Sequence, residues 1–236
     1  MNVILCGYHW TGCKALEILI KQKHNVFVYT HKSKYHVPSL EQYCKKIDIR
    51  YTLDDISKSQ LPFKPDIICS IYYRYLIKEH IINACNGNIF NLHPSLLPNY
   101  RGCSSLTWAI VNGEKEVGFT YHYIDQGCDT GNIIFQKSST VEDWDTQETL
   151  YNKVMFESMK YFLDAFELVK NGFTGEVQSG ESSYFPRGCP YDGQINPQWH
   201  RDFKERFIRA MIYPPYPVAK MNSQDIFDVQ QLDNNI

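Results

Sequence analysis

Short, continuous apolar runs recur along the first hundred residues, and they constrain the fold more than any other feature. They are Val3-Ile4-Leu5-Cys6, Val26-Phe27-Val28-Tyr29, Asp66-Ile67-Ile68-Cys69-Ser70-Ile71 and the stretch from Asn88 to Leu92. Each lacks in–out alternation, as expected of strands covered on both faces of a parallel sheet. Stretches with helical signals separate them. Cys13, Leu16, Leu19 and Ile20 form a stripe between Gly12 and Lys23; Ser39 with Gln42 reads as a capping box opening a helix through Cys44 and Lys46; Lys78 to Cys85 reads as a short helix. Strand–helix alternation of this kind predicts an α/β domain with a doubly wound, mostly parallel sheet.

Further on, Ser104 to Asn112 reads as a helix closed by Gly113, Val117 to Tyr123 as an alternating strand, and Ile133 to Lys137 as its partner. Asp145-Thr146-Gln147-Glu148 is another capping-box signal, predicting the longest helix of the chain, to about Lys170 before Asn171-Gly172. Beyond Gly172 the pattern changes to Gly, Pro and aromatic residues, with one helix over Phe203 to Met211. These features predict a catalytic domain over 1–175 and a small C-terminal extension over 176–236 that wraps it. The last dozen residues, rich in Gln, Asp and Asn, are expected to be partly disordered.

Composition excludes several classes. The formal net charge is −2; residues 1–150 carry 15 basic and 15 acidic side chains and residues 151–236 carry 9 and 11, so the basic surface needed for nucleic-acid binding is missing. No run approaches the length of a membrane span. Met1-Asn2-Val3-Ile4-Leu5-Cys6-Gly7 reads as a first strand and not as a signal peptide. The 8 cysteines show no Cys-x-x-Cys spacing, and several sit inside apolar runs. They read as buried thiols of a cytoplasmic protein, with no metal site. The Gly7-Tyr8-His9-Trp10-Thr11-Gly12 turn is not Gly-x-Gly-x-x-Gly, and Thr30-His31 stand where an acidic ribose partner would end the second strand. A nicotinamide cofactor is therefore not expected.

The chemistry concentrates in Asn91-Leu92-His93-Pro94-Ser95-Leu96-Leu97-Pro98-Asn99-Tyr100-Arg101-Gly102 and, later, Asp125-Gln126-Gly127-Cys128-Asp129-Thr130-Gly131. Residues i and i+2 of a strand share a face, so Asn91 and His93 emerge side by side at a strand's carboxyl end. Asp129, in a glycine-bracketed turn, is placed to bring a carboxylate to the same imidazole. An amide donor, a tunable base and an orienting carboxylate are the parts that acyl transfer needs. The alternative is a buried His93 satisfied by Asp129 in a loop shaped by prolines.

These two blocks closely resemble those of the folate-dependent formyltransferases, which carry an Asn-x-His-Pro-Ser-Leu-Leu-Pro-x-Tyr-x-Gly-like segment and a later Asp-x-Gly-x-Asp-x-Gly turn. The resemblance implies a Rossmann-like formyltransferase fold, 10-formyltetrahydrofolate as co-substrate, and Asn91, His93 and Asp129 as the catalytic residues. It leaves open whether His93 acts as base, acid or oxyanion stabiliser. It also implies that backbone groups around Tyr72, Tyr73, Tyr75 and Leu76 hold the pterin, together with the turn of Asp125, Gly127 and Cys128. A homodimer is implied as well.

The tail resembles the wrapping segment of the sugar N-formyltransferase branch, through Tyr184-Phe185-Pro186-Arg187 and through Phe207-Ile208-Arg209-Ala210 followed by Tyr213-Pro214-Pro215-Tyr216-Pro217. The implied acceptor is a nucleotide-linked amino sugar, with dTDP-4-amino-4,6-dideoxyglucose expected, for surface polysaccharide (O-antigen) synthesis. The length of the chain and its lack of a basic domain or of an N-terminal regulatory domain point away from the tRNA, hydrolase and purine branches. Candidate substrate residues are His9 and Trp10 in the first turn, Arg74 for the diphosphate, Asn152 for the base edge, and Tyr184, Arg187, Tyr213 and Tyr216 in the tail. Loop packing is the alternative for His9 and Trp10, a solvated charge for Arg74, and packing on the core for the tyrosines. Two other functions stay open: formyl transfer to another amine such as glycinamide ribonucleotide, and non-catalytic binding of a sugar nucleotide or folate.

Overall fold

A computed structural model of the chain describes residues 1–235, with side chains described through Leu232. The first half contains strands β1 (Asn2–Gly7), β2 (Asn25–Tyr29), β3 (Tyr51–Thr52), β4 (Ile67–Ile71), β5 (Ile89–His93) and β6 (Arg101–Gly102). Helices α1 (His9–Lys21), α2 (Leu40–Lys46), α3 (Glu79–Ala84) and α4 (Ser105–Asn112) alternate with them. The second half adds β7 (Glu116–Tyr123), β8 (Ile133–Thr140), α5 (Gln147–Lys160), α6 (Phe162–Lys170), β9 (Tyr184–Phe185), α7 (Arg201–Ala210), β10 (Ala219–Met221) and β11 (Gln224–Ile226).

The main sheet has the order β3-β2-β1-β4-β5-β7-β8. β3, β2, β1, β4 and β5 pair in parallel, and β7 runs antiparallel to β5. This is the doubly wound, mostly parallel α/β sheet that the apolar runs predict. Strand order reverses between β1 and β4, and such sheets bind ligands beyond the carboxyl ends of strands near that reversal. Continuous burial explains the apolar runs. Ile4, Cys6, Tyr29, Ile68 and Ile89 join Ile56, Ile81 and Cys85 in a core cluster. Val3, Leu5 and Val28, alternating with them, are also fully buried. Each such side chain contributes about 1.5–3 kcal/mol relative to exposure.

The chain forms two compact units: 1–93, 120–136 and 157–179 make up the first, and 94–119, 137–156 and 180–236 the second. The second unit thus joins the C-terminal segment to two stretches from before residue 175.

In the first unit Ser39 caps α2, its hydroxyl accepting from the Gln42 N–H at 3.2 Å. The predicted long helix ending near Lys170 is instead two, α5 and α6, broken at Tyr161 (φ −102, ψ 4). The cause lies in the Ser158 carbonyl, which accepts from the Tyr121 hydroxyl at 2.9 Å and from the Tyr161 N–H at 3.0 Å. A side chain inserted into the ladder in this way kinks a helix, and the Tyr161 ring is held by stacking on Phe135.

In the second unit the capping box of α5 is built by Thr146 and Thr149, not by Glu148. Each threonine hydroxyl accepts from the other's backbone N–H, at 2.9 and 3.3 Å. The Glu148 N–H goes instead to the Ile212 carbonyl. Asp145 is buried; its carboxylate meets Lys153 Nζ at 2.6 Å and accepts from the Glu142 N–H and the Thr149 hydroxyl. Arg209 of α7 donates to the Asp145 carbonyl at 2.5 Å, and Arg206 donates to the Val111 carbonyl of α4. Phe185 is stacked between Tyr100 and Trp108, and β9 pairs with β6. The Leu97–Pro98 and Pro214–Pro215 bonds are cis. Val229–Asn235, within the stretch expected to be partly disordered, form a 3-10 helix, and Ile236 lies outside the described residues.

Candidate active site

Asn91 and His93 leave the carboxyl end of β5, where β7 runs beside them with His122 opposite Asn91 and Thr120 opposite His93. His93 and His122 are both buried, at 4% and 2% exposure. Asp129 is brought to both imidazoles: Oδ2 lies 3.5 Å from His93 Nδ1, and Oδ1 lies 3.4 Å from His122 Nε2. The two rings stand nearly perpendicular, with centroids 6.3 Å apart. The sequence thus predicts this meeting of Asn91, His93 and Asp129 but omits His122, the fourth polar group.

Hydrogen bonds fix the amide and the second imidazole. The Ser70 hydroxyl donates to Asn91 Oδ1 at 2.8 Å, and the nitrogen end of the amide faces His122. Asn91 Nδ2 lies 3.2 Å from His122 Nε2, and His122 Nδ1 lies 2.8 Å from the Tyr123 carbonyl. A carbonyl only accepts, so a proton sits on Nδ1, and in that tautomer Nε2 is the atom that accepts from Asn91. One hydrogen of the Asn91 amide is spent on that bond.

The turn carrying Asp129 is built from within. Asp125 Oδ1 accepts from the Gly127 N–H at 3.0 Å and from the Thr130 hydroxyl at 2.6 Å, and the Gln126 amide donates to Glu79 Oε1. A Cβ on Gly127 would meet Thr130 Oγ1 at 2.0 Å, and one on Gly131 would meet the Tyr123 carbonyl oxygen at 1.9 Å. Both glycines are therefore required by close approach. Asp129 itself is left-handed (φ 55), a region that side chains other than glycine enter at a cost. The Cys128 thiol lies 3.6 Å from Asp129 Oδ2.

The other predicted residues of the first unit gather at the carboxyl ends of β1, β2 and β4. Tyr8 stacks on His31 and faces Tyr72; His9 meets Tyr72 edge-on. His9 and Tyr72 are both left-handed, at φ 61 and 60. Burial pushes the His9 imidazole below its ordinary pKa, so it is neutral at pH 7. Trp10 is half-buried at the start of α1. The Tyr73 hydroxyl accepts from the Ile56 N–H, and its ring packs against the core cluster. The Arg74 guanidinium is exposed and lies 5.4 Å from the Tyr75 ring. Leu76 is exposed, while its carbonyl accepts from the Ser57 hydroxyl.

Five predicted residues belong to the second unit. Asn152 lies in the second turn of α5, which starts at Gln147. Tyr213 packs against buried Tyr151 and, edge-on, against Tyr216 at 5.3 Å. Tyr184 and Arg187 are exposed.

His122, Ser70 and Gln178, whose amide donates to the Asp129 and Gly131 carbonyls at 2.8 Å, are site residues that the sequence did not reveal. A polar residue in the alternating β7 strand was the available signal for His122; its register opposite Asn91 was not readable. Among the described residues no helix is long and apolar enough to cross a membrane, and no cluster of three or more His, Cys, Asp or Glu can hold a metal ion.

Residues 10–166 match the family described as formyl transferase. A GDP-perosamine N-formyltransferase of Brucella melitensis biotype 1 is 42% identical over 157 residues, 66% of this chain and 61% of that relative's length. Among solved structures, WlaRD, a sugar 3N-formyl transferase studied in the presence of dTDP and 5-N-formyl-THF, matches with a TM-score of 0.80. It is 26% identical, and the match covers 97% of this chain and 85% of that one. An N-formyltransferase from Helicobacter canadensis, in complex with folinic acid and dTDP-3-aminofucose, matches with a TM-score of 0.81 at 26% identity, covering 96% and 86%.

Proposed function

We propose, from the premise that this chain belongs to the formyl transferase family, that it moves a formyl group from 10-formyltetrahydrofolate to the amine of a nucleotide-linked amino sugar. The observation that carries this reading is the Asp129 carboxylate set between two buried imidazoles, beside an Asn91 amide held at both ends. A binding module gains nothing from such an arrangement.

In the reaction the sugar nitrogen attacks the formyl carbon, a tetrahedral oxyanion forms, and the bond from that carbon to the folate nitrogen breaks. The proton leaving the attacking amine ends on the departing nitrogen. Asn91 donates its second amide hydrogen to the oxyanion, a contribution of about 3 kcal/mol for one such donor. His93 relays the proton, and Asp129 orients the imidazole and stabilises its charged form. We assign the pterin to backbone groups of Tyr72, Tyr73, Tyr75 and Leu76 and of the Asp125, Gly127 and Cys128 turn. The backbone is the suited contact, because the Tyr73 hydroxyl and the Asp125 carboxylate are engaged within the protein.

For the acceptor we propose a dTDP-linked 4-amino-4,6-dideoxyglucose, bound through His9, Trp10, Arg74, Asn152, Tyr184, Arg187, Tyr213 and Tyr216. The two dTDP-associated neighbours, which align with nearly the whole chain, support this nucleotide. The 42% identical relative, named for a GDP-sugar, favours guanine as a second reading. A role in surface polysaccharide synthesis, a cytoplasmic site and a homodimer complete the proposal. The test is turnover of 10-formyltetrahydrofolate with dTDP- and GDP-linked amino sugars and with glycinamide ribonucleotide. Formylation of the last alone refutes the sugar assignment, and no turnover with any amine refutes the enzyme.

A further inference from the structure

Residues 173–178 run back along the exit of the turn that carries Asp129. Ile133 and Glu176 exchange both backbone bonds, at 2.7 and 2.8 Å. The Asn132 amide donates to the Thr174 carbonyl at 2.9 Å, and the Tyr123 hydroxyl donates to the Phe173 carbonyl. Gln178 ends this strap. Val177 is 78% exposed and Ser179 is also exposed, yet Gln178 between them is half-buried. Its Nε2 donates to the carbonyls of Asp129 and Gly131, both at 2.8 Å.

That geometry is selective. A side-chain amide has two N–H donors on one nitrogen, and both are used here on carbonyls that flank Thr130. The held backbone includes Asp129 itself, whose left-handed φ of 55 is the less favoured choice for an aspartate. The Asp125 bonds close the turn from inside but end at Thr130. Gln178 is thus an external tie acting directly on the peptide of the residue that faces His93 and His122.

We propose that Gln178 is a positioning residue for formyl transfer, setting the direction of the Asp129 carboxylate through its backbone; this rests on the catalytic reading of Asp129. Reaction geometry tolerates little error, and a displacement of about 1 Å costs on the order of a hundredfold in rate. Loss of the tie is therefore read in kcat and not in substrate affinity.

The test compares four variants of the full chain. Gln178→Met keeps length and removes both donors; Gln178→Asn keeps donors on a stem one methylene shorter. Asn132→Ala loosens the same strap through a bond that does not touch Asp129, and Asp129→Asn tests the reading beneath the proposal. Expected for Gln178→Met is a fall in kcat of about 10–100-fold with both KM values within about threefold of wild type. Gln178→Asn should fall between the two, and it carries the test if Gln178→Met does not fold. Asn132→Ala should lower Tm while keeping kcat within about twofold. The proposal is overturned if the Gln178 variants keep kcat while Asp129→Asn loses it, or if Asn132→Ala loses kcat as they do. An active Asp129→Asn overturns the catalytic reading and the proposal together.

Discussion

His122 Nε2 lies 3.2 Å from Asn91 Nδ2, across a strand pair in which the two residues stand directly opposite. Because His122 Nδ1 faces the Tyr123 carbonyl at 2.8 Å, the ring meets Asn91 as an acceptor. Ser70 holds the oxygen end of the same amide. The amide proposed as the oxyanion donor is thereby fixed before any substrate arrives, which is the condition under which such a donor lowers a barrier.

It follows that His122→Phe, which keeps a ring and removes the acceptor, should lower kcat by about tenfold or more. Ser70→Ala should do less, since Asn91 keeps its His122 bond. Steady-state kinetics of the two purified variants check this order. Equal kcat in wild type and His122→Phe would show that His122 is a packing residue.

For the residues proposed as catalytic the expected losses are larger. His93→Ala and Asn91→Ala should each reduce the chemical rate by at least about a hundredfold, as for an acid–base group and an oxyanion donor. Circular dichroism should show an unchanged fold. Near-normal single-turnover rates in either variant count against the assignment.

The sequence and the structure agree where the signal is local. β1, β2, β4 and β5 are visible as apolar runs because both faces of each are buried, and the Ser39 cap because its partner is three residues away. Asn91 and His93 are readable as a pair from strand geometry alone. What could not be read depends on partners distant in the chain. The break at Tyr161 requires a hydroxyl from Tyr121, His122 requires the register of β7 on β5, and Gln178 requires the return of the strap to Gly131. The two-residue strands β3, β6 and β9 are too short for any periodicity. At α5 the capping signal lies in the right place, but the acceptor reaching back is the Thr149 hydroxyl and not the Glu148 carboxylate to which the sequence points.

Asp145 gives a prediction about acid stability. Burial alone raises its carboxyl, but Lys153, the Glu142 N–H and the Thr149 hydroxyl outweigh it and hold the group below the usual carboxylate range. An Asp in the unfolded chain titrates near pH 4, so the folded value is the lower one. The stabilisation is then fully present above about pH 4 and disappears as pH falls through the folded value. Asp145→Asn removes the charge that Lys153, about a third exposed, pairs with, and should cost about 1–3 kcal/mol at pH 7. Denaturant melts of both proteins from pH 7 to acid should converge; a gap that stays constant with pH shows that the charge is not the source.

The last prediction concerns Tyr216, proposed as the platform for the nucleotide base. It follows Pro214-Pro215 and precedes Pro217, and each proline fixes its own φ and restricts the residue before it. The Tyr216 ring is half-buried and braced edge-on by Tyr213, which in turn packs on buried Tyr151. A ring supported in this way loses little freedom when a base stacks on it, so most of the stacking free energy appears as affinity. Tyr216→Ala should therefore weaken sugar-nucleotide binding by about 1–3 kcal/mol. Folate affinity should be nearly unchanged, and Tyr216→Phe should retain most of the binding, because the ring face and not the hydroxyl is the contact. Isothermal titration of wild type and both variants with dTDP and GDP also separates the two nucleotide readings. Equal weakening toward folate and nucleotide, or toward neither, excludes Tyr216 as the platform.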